Sequence, residues 1–136
     1  MLQSSVRTFI EKELKPLAIQ IDETHEIPPE LVRKISEMGM LGVYLPEAYG
    51  GAGMDFLSYV IVVEEVSKAC GSTGILISAH TSLACDPILQ FGSEEQKKKY
   101  LPLLTCGKRI GALLLTEPGA GSDVAGIATA YHQDGD

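Results

Sequence analysis

The run Asp55-Phe56-Leu57-Ser58-Tyr59-Val60-Ile61-Val62-Val63-Glu64-Glu65-Val66 decides the fold. Asp55 is a residue type that caps helices, and the run from Phe56 to Val66 is apolar on nearly every side. A helix of that kind belongs in the middle of a bundle. After Gly71 the pattern repeats over residues 72–91, with Pro87 expected to kink or break it. Glu64 and Glu65 are adjacent, so on a helix they point about 100° apart and form no working acid–base pair.

Upstream, Gly42, Pro46, Gly50, Gly51 and Gly53 mark residues 42–55 as a loop. Before it, Pro28-Pro29-Glu30 opens a helix whose expected buried stripe is Leu31, Val32, Ile35 and Met38, with Gly39 as its stop. Residues 2–21 carry Val6, Phe9, Ile10, Leu14, Leu17, Ala18 and Ile21 at helical spacing, with a kink expected at Pro16. Downstream, Ser93-Glu94-Glu95-Gln96 is a capping box that starts a fifth helix, and Lys97, Lys98 and Lys99 form its solvated face. Then the pattern changes. Residues 110–115 form a short apolar run that fits a buried strand, residues 124–132 a weaker one. Gln133-Asp134-Gly135-Asp136 supplies an aspartate-glycine turn to close a hairpin, and the sheet would be left unfinished.

The chemistry-bearing segment is Leu115-Thr116-Glu117-Pro118-Gly119-Ala120-Gly121-Ser122-Asp123. Pro118 fixes one φ angle, while Gly119 and Gly121 permit positive φ and carry no side chain to block a ligand. Successive N–H groups in such a turn converge on an anion, and Thr116 and Ser122 add hydroxyls. The same residues equally suit an ordinary turn at the exit of a strand. Two nucleotide motifs are closed. Val124 stands where G-x-G-x-x-G needs its third glycine, and Gly107-Lys108 is followed by Arg109.

Bulk properties narrow the rest. With 136 residues, of which 45% are hydrophobic and 21% charged, the chain can bury a core and is not expected to be disordered. The net charge of −7 disfavours nucleic acid and anionic membranes as partners. No apolar run reaches the ~18 residues of a membrane span. His25, His80 and His132 are isolated, no nucleophile has an activating base, and no metal set appears. His80, in an apolar helix, reads as a satisfied structural histidine. Cys70, Cys85 and Cys106 match no metal or redox spacing and read as buried thiols in a reducing compartment.

From Thr116 to Asp123 the chain resembles the first signature of the acyl-CoA dehydrogenase family. The likeness runs back in order through residues 92–102, the loop Pro46-Glu47-Ala48-Tyr49-Gly50-Gly51-Ala52-Gly53, Glu64-Glu65 and Gly71-Ser72-Thr73-Gly74. The resemblance implies a mainly α fold: an N-terminal helical bundle domain over residues 1–107, then the incomplete start of a middle β domain over residues 108–136. It implies FAD as cofactor, with Leu113, Leu115, Thr116, Gly121 and Ser122 at the flavin and Ser122 also near the acyl-CoA substrate. It implies an oxidoreductase of fatty-acid β-oxidation, with electron-transfer flavoprotein as partner and a homo-oligomer, a homotetramer, at full length. The setting would be bacterial cytoplasm or mitochondrial matrix. The family's catalytic glutamate lies in a C-terminal domain, so no catalytic residue is expected here and the chain alone is expected to be inactive. Leu113 and Leu114 depart from the family's aromatic and small residues. The rival expectation is a non-catalytic helical interaction module that keeps the family fold.

Overall fold

The computed structural model describes residues 1–132 together with Asp134 and Gly135. The expected turn over residues 133–136 includes Gln133 and Asp136, which lie outside the described residues. Five helical rods make up the described bundle, in the order expected. The first joins α1 (Leu2–Phe9) to α2 (Ala18–Thr24) through a wide π-turn at Ile10–Leu14 and a tight 3-10 turn at Lys15–Leu17. The second is α3 (Pro29–Glu37), and the third is α4 (Phe56–Ala69). The fourth joins α5 (Gly71–Ser78) to α6 (Asp86–Phe91) through a second π-turn at Ala79–Cys85. The fifth is α7 (Glu94–Thr105).

Pro16 and Pro87 come just after the two π-turns, and neither ends its rod. A proline removes one N–H and crowds the carbonyl four residues back. In both rods that carbonyl belongs to the widened turn, which opens the room the ring needs. Local capping is as expected. The Asp55 carboxylate accepts from Ser58 N–H at 2.8 Å, and Ser93 and Gln96 exchange the two bonds of a capping box at 3.2 and 2.8 Å.

The main core gathers Val6, Ile10 and Leu14 from the first rod, Leu31 and Ile35 from α3, and Val62 and Val66 from α4. Leu45, Cys85, Leu101 and Leu104 form a second cluster where the loop after α3 meets α7. That loop pairs with itself, Gly53 N–H donating to Leu45 O at 2.9 Å and Met54 N–H to Val43 O at 2.9 Å. Thr105 then ties it to α7 through a bond from its hydroxyl to Tyr49 O at 3.1 Å. The α4–α5 hairpin is very close. A Cβ on Gly74 would stand 2.0 Å from Ser67 Oγ, so only glycine lets the two helices approach this far.

Four expectations are corrected. Met38, expected in the buried stripe of α3, lies past the end of that helix and is exposed. α4 is not enclosed: Tyr59, Val62 and Val66 are buried, but Phe56 and Leu57 are 61% and 65% exposed. The remaining described residues provide no surface to cover that side. Neither strand forms among the described residues, where the isolated bridge between Glu117 and Ala120 is the pairing found near them. A strand exists by its partner, and residues 110–115 have none among the described residues: Gly111 is bonded to His80 while residues 112–115 are exposed. Of the three thiols, Cys70 and Cys85 are buried, whereas Cys106 is exposed after the end of α7.

Candidate functional site

α7 ends at Thr105, and Gly107 turns the chain with φ +72. Arg109 N–H donates to Leu103 O at 3.0 Å, and Gly111 N–H donates to His80 Nδ1 at 3.0 Å. These two bonds carry the chain back across the fourth and fifth rods. Leu113 helps to line an apolar groove of about 340 Å3 with Leu83, Ile88, Tyr100 and Leu103. Beyond it the chain is open, and Leu114 is 97% exposed.

The signature turn comes next. Glu117 and Ala120 exchange backbone bonds of 3.0 and 3.1 Å, and Ala120 is buried beneath the turn. The Glu117 carboxylate accepts from the N–H groups of Ala128 and Thr129 at 2.8 and 2.9 Å, and from the Thr129 hydroxyl. Those donors, the Thr129 hydroxyl first, hold its carboxyl below the usual carboxylate range. Glu117 therefore clips the turn to the segment just after it. Its partners are 11 and 12 residues away, and no local spacing announces them.

Neither Gly119 nor Gly121 adopts positive φ, so the conformational reason for glycine falls away. A Cβ on either would meet nothing within 4 Å, whereas one on Gly111 would stand 2.5 Å from Ala84 Cβ. The chain itself thus makes no demand for glycine at 119 and 121. Thr116 and Ser122 are exposed, and among the described residues neither hydroxyl has a partner. The expected site residues do not converge within this chain. Leu113 lies in the groove wall, while Leu115, Thr116, Gly121 and Ser122 lie along the open loop. The loop offers backbone N–H groups and two exposed hydroxyls, which suit an anionic group.

His80 is buried and hydrogen-bonded, as its place in an apolar helix suggested, and burial holds its imidazole below the ordinary value. Burial likewise pushes the Cys85 thiol up to about 12, with Asp86 adding to the effect. That thiol is no nucleophile at neutral pH. Among the described residues no three His, Cys, Asp or Glu side chains gather as a metal site.

The sequence profile described as "Acyl-CoA dehydrogenase, N-terminal domain" matches residues 1–108, and the chain belongs to that family. A relative from Clostridium acetobutylicum, "Acyl-CoA dehydrogenase, short-chain specific", is 50% identical over all of this chain and 36% of its own length. Among solved structures, a glutaryl-CoA dehydrogenase from Mycobacterium smegmatis in complex with FADH2 superposes with TM-score 0.90 at 36% identity. The likeness covers 98% of this chain and 34% of that one. An acyl-CoA dehydrogenase complexed with FAD from Bacillus anthracis superposes with TM-score 0.85 at 42% identity, over 93% of this chain and 22% of that one. The chain spans about a third of the length of the curated relatives it matches.

Proposed function

We propose that this chain is the helical domain, residues 1–107, and the opening of the β domain, residues 108–136, of an FAD-dependent acyl-CoA dehydrogenase. The observation that carries the reading is the pair Gly119 and Gly121, whose missing side chains face open space beside two unpartnered hydroxyls. That space leaves the backbone N–H groups open to a ligand. In this reading Leu113 and Leu115 give the flavin an apolar wall. The Thr116 hydroxyl donates to the pyrimidine end of the ring. The Gly121 N–H and the Ser122 N–H and hydroxyl stabilise the pyrophosphate, with Ser122 also reaching the acyl-CoA.

Bound there, FAD supplies the acceptor for the hydride that leaves the β carbon of an acyl-CoA thioester. Glu117 does none of this chemistry, because its carboxylate is occupied by the Ala128 and Thr129 donors. The base that takes the α proton is a glutamate of another domain, and residues 1–136 alone do not turn over. Electron-transfer flavoprotein receives the electrons, and the complete protein is a homo-oligomer of the bacterial cytoplasm or mitochondrial matrix. No helix among the described residues is long and apolar enough to cross a membrane.

A chimera tests the flavin site: residues 1–136 of this chain followed by the remaining two thirds of the Clostridium acetobutylicum relative. It should purify with bound flavin in a stoichiometric amount. A folded chimera that stays colourless and takes up no added FAD would refute the site.

A further inference from the structure

His80 sits in the wide turn at Ala79–Cys85, with no exposed surface. Its ring reaches beyond its own helix. Nδ1 lies 3.0 Å from the backbone nitrogen of Gly111, 31 residues further on. A backbone amide only donates, so Nδ1 carries no proton, and the neutral ring keeps its hydrogen on Nε2. That second nitrogen faces Cys85 Sγ at 3.5 Å. One helical turn after His80, Ala84 meets the same crossing residue: a Cβ on Gly111 would stand 2.5 Å from Ala84 Cβ. Two contacts a turn apart thus pin a single residue of the crossing chain. Leu113, two residues on, lies in the groove wall, and Thr116 comes three residues later.

We infer that His80, held as its Nε2–H tautomer, is a positioning residue that seats Gly111 on the helical bundle and so sets where the flavin-contacting loop begins. The consequence for flavin rests on the function proposed above; the tether does not. A histidine kept only for packing would be replaced best by an apolar side chain of similar bulk. A histidine kept as an acceptor would be replaced best by asparagine, whose Oδ1 falls close to the place of Nδ1. The two roles therefore rank His80→Leu and His80→Asn in opposite order.

The test is nuclear magnetic resonance on the chain itself, without flavin. Long-range proton–nitrogen correlations in the native protein should give a bare Nδ1 and a protonated Nε2. In His80→Leu the Gly111 amide should exchange about tenfold faster or more, with the Leu113 methyl shifts leaving their groove values. In His80→Asn the exchange should stay within about threefold of native and the methyl shifts should hold. A native ring protonated on Nδ1 overturns the inference. So does His80→Leu with native Gly111 exchange, or His80→Asn no better than His80→Leu. If His80→Leu does not fold, the native tautomer and His80→Asn decide. A failed tether and a failed flavin site leave separate records, because the chimera reads the second and this experiment only the first.

Discussion

At the scale of single residues, Thr116 carries the sharpest expectation. Its hydroxyl is exposed and unpartnered among the described residues, so its replacement disturbs nothing within the chain. In the chimera, Thr116→Val should keep the fold while losing one donor to a polarised ring. Such a bond contributes about 1.5–3 kcal/mol, so flavin affinity or reduction rate should fall about ten- to a hundredfold. Flavin titration and stopped-flow reduction measure this, and native values would reduce Thr116 to a turn residue. Residues whose partners are a few positions away are legible from their own neighbourhood. Asp55 and Ser93 announce their caps because the N–H groups they serve lie three positions on. Glu117 does not, because its partners lie 11 and 12 residues off, and Glu65 shows only Lys68 nearby, while Arg7 and Gln3 lie 58 and 62 residues away. Adjacency says only that Glu64 and Glu65 point apart, which holds: Glu64 is largely exposed, and Glu65 is 4% exposed.

At the scale of elements, Glu65 is the polar joint between α1 and α4. Its carboxylate accepts from Arg7 Nε at 2.7 Å, Arg7 Nη2 at 2.9 Å, Gln3 Nε2 at 2.8 Å and Lys68 Nζ at 3.0 Å. Arg7 first, then Gln3 and Lys68, hold this carboxyl at about 2, against an ordinary value of 4.5. The folded-state value is depressed, so the stabilisation is complete above about 4.5 and is lost as pH falls towards about 2. Thermal melts across that window should fall steeply for the native chain and more shallowly for Glu65→Gln. Equal slopes would show that the joint contributes nothing. The helices themselves are legible because a 3.6-residue period is local. Neither π-turn is, since a proline signals only that some departure occurs and not which neighbours absorb it. The strands failed for the complementary reason: residues 110–115 have a strand's composition, but a ladder needs a partner.

At the scale of the whole molecule, the order of five rods and the family signature are readable, while the open side of α4 is not. A helix apolar all round expects cover, and the sequence cannot say which surface provides it. Phe56, Leu57, Ile75, Phe91 and Leu114 stay exposed. At ~25 cal/mol per Å2, covering about 300 Å2 of such surface contributes roughly 7 kcal/mol before the cost of association. The charge of −7 opposes association, but salt screens it beyond about 8 Å. The apparent mass from light scattering should therefore rise with concentration; a monomer at every concentration would favour a self-sufficient helical module. The central claim is the proposed one, that residues 1–136 serve an acyl-CoA dehydrogenation whose base another domain supplies. Its most direct measurement is dye reduction by acyl-CoA thioesters, run in parallel on the chain alone and on the flavin-loaded chimera. The account predicts turnover by the chimera and none above buffer by the chain alone. A flavin-loaded chimera inert towards every chain length, or sustained turnover by residues 1–136 alone, would contradict it.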